Sequence, residues 1–215
     1  SEVGMLPAEL MGLKEKKFKR FNSLIKNKNF VYQLIKNVEN TILLIKKKKL
    51  NSIILNYDER SDNLFKWYQQ LIAESLGKKS KGLIPMISTM PKDNHSLLQL
   101  YLDGPKNNFY TFYNVNDNKS DIIKSSYIQK SKIFLKNKKL IKIIEAQKIA
   151  TQKVFLRKKI HFRSIEIKKR SEESMGELFC FFVLETILLG RALNVNPFDQ
   201  PAVELIKTET KKILS

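Results

Sequence analysis

Three side chains of types suited to moving protons on and off a small organic molecule stand out in this chain of 215 residues. Glu74 lies in Trp67-Tyr-Gln-Gln-Leu-Ile-Ala-Glu74-Ser-Leu-Gly-Lys78. His95 lies in Asp93-Asn-His95-Ser-Leu-Leu-Gln-Leu-Tyr-Leu-Asp103-Gly-Pro105. Lys207 closes the run Gly190-Arg-Ala-Leu-Asn-Val-Asn-Pro-Phe-Asp-Gln-Pro-Ala-Val-Glu-Leu-Ile-Lys207. A carboxylate can take a proton from carbon, an imidazole titrates near neutral pH, and an ammonium donates to oxygen. Each residue alone also has an ordinary explanation. Glu74 would be a solvated carboxylate at a helix end, His95 a residue of a helix start or core edge, and Lys207 one more exposed lysine. Asp103-Gly104-Pro105 alone is a turn, and Asp199-Gln200-Pro201 alone a helix start. Only joint occurrence, in order and at fixed spacing, turns them into candidate chemistry.

The elements that must hold these residues follow from hydrophobic periodicity. Pro7 through Leu13 reads as a short helix with proline in its first turn. Phe30 to Lys48 reads as an amphipathic helix with Val31, Leu34, Ile35, Val38, Ile42 and Ile45 on one face. Ser52 to Tyr57 is apolar and β-branched, a buried strand, followed by a turn at Asp58 to Ser61. Asn63 to Leu76 returns as a helix stopped at Gly77, with Trp67 and Tyr68 directed into the core. Leu83 to Ser88 is a second strand, interrupted by Pro85. His95 to Leu102 is helical and ends at Asp103-Gly104-Pro105. Asn108 to Val115 alternates as a strand, Asn116 to Ser120 turns, and Ser131 to Phe155 is a long helical region. Ile160 to Ile167 is a further strand and Ser171 to Asn194 a long apolar helix. Asp199 caps a final helix with Pro201 in its first turn. Strands alternating with helices predict an α/β fold, a mainly parallel sheet between helical layers.

The formal charge of +19 would suit a polyanionic partner. Against this, lysine is spread along the whole chain, arginine is scarce, and no face clusters arginine with aromatics. The lysine runs at 46–49 and 136–139 read as exposed helix ends. Composition therefore argues against a nucleic-acid partner. Cys180, the single cysteine, falls in an apolar run and reads as a buried small hydrophobe; without a pair it suggests a reducing compartment. With two histidines, His95 and His161, no metal cluster is expected. The longest apolar stretch, Leu178 to Leu189, is short and broken by Glu185, so no membrane span is expected, nor a signal peptide, and a cytoplasmic protein is anticipated. Ser1-Glu-Val-Gly-Met-Leu-Pro7 has no initiator methionine and reads like the interior of a motif, so the chain is expected to be part of a longer polypeptide.

The three segments, in their order and spacing, resemble the glucose-6-phosphate isomerase family. The Glu-Ser-x-Gly-Lys helix end, the Asp-x-His-Ser segment with its Gln-Leu helix, and the signature ending at Lys207 all match. The 21-residue step from Glu74 to His95 is similar to that of shorter bacterial members. Met175-Gly-Glu-Leu-Phe179 and Leu184-Glu-Thr-Ile187 also fit. Ser1 to Ala8 resembles the residues directly after the family's Gly-Gly-Arg-Phe-Ser signature. Met90-Pro-Lys departs from the usual approach to the histidine, and residues 106–159 carry little diagnostic pattern.

The resemblance implies a three-layer αβα sandwich of sugar-isomerase (SIS) type with extra C-terminal helices. Residues 1–215 would be the C-terminal sugar-isomerase domain, without the family's N-terminal domain or its signature arginine. It implies interconversion of glucose 6-phosphate and fructose 6-phosphate through a cis-enediol, in glycolysis and gluconeogenesis. Glu74 would carry the proton between carbons, and His95 and Lys207 would share ring opening. Gln200 would approach the sugar hydroxyls, while Glu204, in the first turn of its helix, reads as structural. No cofactor is implied. The partners implied are the sugar phosphate and a second copy of the chain, with His95 acting in trans. The alternatives from other classes are a non-catalytic sugar-phosphate-binding domain and a basic nucleic-acid-binding protein; the first should have lost Glu74 or Lys207, and both are present.

Overall fold

The computed structural model of the chain describes residues 2–19, 21–116, 120–124 and 130–215. Four strands, β1 (Asn51–Asn56), β2 (Ile84–Thr89), β3 (Asn108–Val115) and β4 (Phe162–Ile167), form one parallel sheet in the order β2-β1-β3-β4. The central strands are buried on both faces, as their nearly continuous apolar runs require. Asn108 to Val115 has the expected bounds. Its polar members are nevertheless interior: Thr111 accepts a hydrogen bond from Arg163 Nε and Asn114 one from Lys148. β2 is an edge strand, which explains how Pro85 is tolerated. The amides of Ile84 and Met90 point at β1, so by alternation the missing N–H of Pro85 falls on the free edge.

One face of the sheet is covered by α4 (Lys28–Lys46), α5 (Asp62–Leu76) and α9 (Glu172–Ala192), with α9 between the other two. Ile54, Phe109 and Tyr113 of the sheet meet Phe65, Tyr68 and Ile72 of α5 and Leu178, Phe182 and Leu189 of α9. The opposite face presents Ile53, Leu55, Tyr110 and Phe112. They pack on Tyr101 of α7 (Leu98–Asp103) and Phe155 of α8 (Leu140–Arg157). Short helices α1 (Glu2–Leu10), α2 (Glu15–Phe18) and α3 (Phe21–Leu24) precede α4; α6 (Asp93–Ser96) precedes α7; α10 (Pro201–Leu214) follows α9. No helix among the described residues is long and apolar enough to cross a membrane.

Several expectations need correction. Pro7 lies inside α1 rather than at its start, where it removes a single backbone bond. Ile35 is 47% exposed, because the face of α4 that meets α9 and the sheet centres on Phe30, Leu34, Val38, Thr41 and Ile42. The helix expected from His95 to Leu102 is two pieces, α6 and α7, parted at Leu97. The region from Ser131 to Phe155 is interrupted after a 3-10 segment, with Asn137 at a positive φ that asparagine tolerates, and α8 begins only at Leu140. Asp199 does not cap α10. Gln200 occupies that position without a side-chain cap, because the Asp199 carboxylate is engaged by Lys78 and Asn196. The turn expected at Asn116 to Ser120 lies partly outside the described residues.

Ser171 caps α9 through a reciprocal box with Ser174, as the start at that residue anticipated. Cys180 is buried beside Leu24, Phe30 and Leu34, and burial pushes its thiol up, away from reactivity. Gly176 is the closest contact between α9 and α2: a Cβ there would stand 2.0 Å from the Phe18 carbonyl oxygen. Gly176→Ala is therefore expected to push α2 off α9 at a cost of about 1–3 kcal/mol. Thermal unfolding followed by circular dichroism should show a lower midpoint; an unchanged midpoint would mean that α2 is not held where the structure puts it.

Candidate active site

Glu74 sits in the last turn of α5, half-buried, where the helix gives way at Gly77. One carboxylate oxygen accepts from Gln70 Nε2 at 2.9 Å, one turn back on the same helix. The other accepts from Gln200 Nε2 at 2.8 Å, 126 residues away in sequence. A carboxylate offers about four acceptor positions. Two are taken by neutral amides, which fix the group in orientation and leave acceptor capacity for a ligand. Among the described residues no lysine or arginine pairs with it.

What brings Gln200 to Glu74 is a pair of lysines just beyond α5. Lys78 Nζ donates to the Asn196 carbonyl at 2.5 Å and the Ser75 carbonyl at 3.2 Å, and pairs with Asp199 Oδ1 at 3.0 Å. Its side chain is only 9% exposed. Lys81 Nζ donates to the Leu193 carbonyl at 2.9 Å, the last carbonyl region of α9. The Lys78 ammonium hydrogen-bonded to it holds Asp199 below the usual carboxylate range. Asn196 adds a bond to Asp199 at 2.9 Å and turns the chain by accepting from the Phe198 amide. At the turn's base the Gly190 hydrogens face the Pro197 ring, which a Cβ would meet at 3.1 Å. The segment from Gly190 to Gln200 is thus bolted to the end of α5.

Lys207 stands seven residues beyond Gln200 on α10, about 10 Å along the helix axis. Its ammonium pairs with Glu204 at 2.6 Å, and both side chains are 67% exposed. No residue of α10 is buried. His95 lies elsewhere. It is exposed on α6, past the C-terminal end of β2, where Asp93 accepts the Thr89 amide at 2.9 Å. The start of α5 is at that same end, since Asp62 contacts Asn56 and Thr89. From Asp62 to Glu74 the helix climbs twelve residues, about 18 Å. The structure therefore brings Glu74 together with Gln200, leaves Lys207 about two turns along α10 from Gln200, and puts His95 at the opposite end of the strands. Lys78, Asn196 and Asp199 are positioning residues that the motifs alone did not reveal. The Gly-Lys pair directly after a helix end was the available signal for Lys78.

The parallel order β2-β1-β3-β4, with helices on both faces, defines an α/β sandwich of the sugar-isomerase type. No family model matches the chain. A crystal structure of a hypothetical protein from Thermus thermophilus matches all of it at a TM-score of 0.87 and 26% identity, over 54% of that chain. A glucose-6-phosphate isomerase from Chlamydia trachomatis D/UW-3/Cx shares the fold over 77% of this chain and 34% of its own, at a TM-score of 0.62 and 16% identity. A glucose-6-phosphate isomerase of Mycoplasmopsis pulmonis is 34% identical over 99% of this chain and 51% of its own length. The chain belongs to the glucose-6-phosphate isomerase family, and it spans about half or less of the length of the curated relatives it matches.

Proposed function

We propose that this chain supplies one half of the machinery of an aldose–ketose isomerase acting on glucose 6-phosphate and fructose 6-phosphate, in glycolysis and gluconeogenesis. The observation that carries the reading is the Glu74 carboxylate, held by two neutral amides of which one comes from the signature loop. One carboxylate placed against two adjacent carbons can serve both halves of the reaction. Glu74 takes the proton from C2 of the opened aldose while the C1 carbonyl oxygen gains one, leaving a cis-enediol, and returns its proton to C1 while the hydroxyl proton of C2 leaves. Ring opening first needs a proton on the ring oxygen and removal of the anomeric one. His95 and Lys207 are the groups for that exchange. Gln200 would orient Glu74 and meet a sugar hydroxyl with its remaining amide capacity.

The opposite placement of Glu74 and His95 favours a site shared by two copies, with His95 delivered by the partner. The remainder of the family's length would supply the phosphate contacts and the cation for the developing enediolate. A cytoplasmic homodimer with the 215 residues as one sugar-isomerase domain is the assembly this reading implies. The test is fructose 6-phosphate to glucose 6-phosphate turnover by this chain alone and joined to the rest of the family's length, each with Glu74→Gln. Turnover in the joined form only, reduced about 10²–10⁴-fold by Glu74→Gln, is the expected result. Absence of turnover in a folded joined form would favour a binding protein instead.

A further inference from the structure

A cavity of about 310 Å³ lies between the C-terminal half of α4 and the first residues of β3 and β4, at the lower end of the size range for small-molecule sites. It is not part of the Glu74 site. α9 lies between α4 and α5, so two helix spacings, roughly 20 Å, separate them. Its floor is Arg163, whose charge is already matched by the Glu185 carboxylate. Asn37 and Tyr110 are committed as well: Asn37 accepts from Arg163 and donates to the Gln33 carbonyl, and the Tyr110 hydroxyl accepts from Asn108 and donates to the Tyr101 carbonyl. Thr41 lines the cavity and is 5% exposed, yet among the described residues its hydroxyl has no hydrogen-bond partner. The Thr41 hydroxyl is not one of the sealed, unpartnered polar atoms of the interior; it opens on the cavity and can donate to a group placed there. The Asn40 amide and the Lys47 ammonium likewise have no partner there, and His161 stands at the mouth. Burial, and then the neighbouring Lys49 and Lys47, hold the His161 imidazole below its ordinary value. No aspartate or glutamate lines the cavity.

We propose that this cavity is a second binding site, for the phosphate group of a small metabolite, in which Thr41 and Asn40 donate to the phosphate oxygens and Lys47 neutralises them. The carbonyl end of α4 lies close by and would repel an anion, but Lys46, Lys47 and Lys48 offset it. Two sources share this chemistry, free phosphate and a phosphate monoester. The cavity is larger than one phosphate requires, so glycerol 3-phosphate should bind more tightly than inorganic phosphate; the reverse order would identify free phosphate as the ligand of the same site.

Isothermal titration of both probes into the chain, at fixed salt, tests the proposal. The expected result is one site per chain, weakened about tenfold or more by Thr41→Val and by Lys47→Ala, and unchanged by Glu74→Gln. Thr41→Val is nearly isosteric, and circular dichroism will show that each variant is folded. Saturable binding that survives both cavity substitutions, or no saturable binding at all, would overturn it, the former revealing adsorption to the lysine-rich surface. Because Glu74→Gln turnover does not touch this cavity, failure here leaves the isomerase reading standing, and the converse holds.

Discussion

An equimolar mixture of Glu74→Gln and His95→Asn, co-expressed in the joined protein, is expected to recover about a quarter of unsubstituted turnover, although each alone is nearly inactive. The expectation comes from the position of the two residues. Glu74 ends α5 at the edge where the strands begin, and His95 follows β2 at the edge where they end. Within one copy they are separated by the length of α5. If a site takes Glu74 from one copy and His95 from another, a mixed dimer holds one site with both substitutions and one with neither. Random pairing makes half the dimers mixed, and half of their sites are intact. Recovery should be confined to mixed dimers isolated through two different affinity tags. Separated mixed dimers no more active than the parents would rule out sharing of the site between copies.

Glu185→Leu is expected to destabilise the chain by about 3–5 kcal/mol, on the order of 10 °C in unfolding midpoint for a chain of this size. Glu185 is 1% exposed on α9 and grips both terminal nitrogens of Arg163 on β4. Arg163 Nε donates to Thr111 at 3.0 Å and Nη1 to Asn37 at 3.3 Å, so one guanidinium ties together β3, β4, α4 and α9. Burial opposes the charge on Arg163, but Glu185 and Tyr68 outweigh it and raise its pKa. Burial, with Glu185 beside it, pushes the Tyr68 hydroxyl up to about 12, so it remains a neutral donor. Removing the carboxylate alone strands a cation in the core. Removing both, as Arg163→Met with Glu185→Leu, should restore most of the loss. Chemical denaturation of the three variants measures this; a single substitution costing under about 1 kcal/mol would show that the pair is not desolvated in solution.

That pair also marks where sequence reasoning stopped. β1, β3, β4 and α5 were legible because their apolar spacing is local, and Pro85 and Gly77 punctuated the chain where the structure breaks it. Glu185 showed only as an interruption of an apolar run, since its partner is a strand residue 22 positions earlier whose own pattern gave no hint of pairing. Asp199 looked like a helix cap by the local rule. Lys78, 121 residues before it, competes for the same carboxylate, and tertiary contact overrode local preference. The candidate site was legible as residue types in order, because the family's motifs are short and contiguous. Its geometry was not: that Gln200 reaches Glu74 and that His95 stands at the far end of the strands both depend on which way α5 runs across the sheet.

The direction of α5 also constrains how copies can assemble. If a site is shared between copies as proposed, a protomer with Glu74 at one pole and His95 at the other has two unlike ends that must meet. Stacked head to tail, such protomers satisfy one pole at each junction and leave a free pole at either end, so growth into a fibre has no stopping point. A two-fold arrangement pairs both poles at once and closes at two copies. Closure, rather than affinity, is then what would keep a chain of this kind from polymerising.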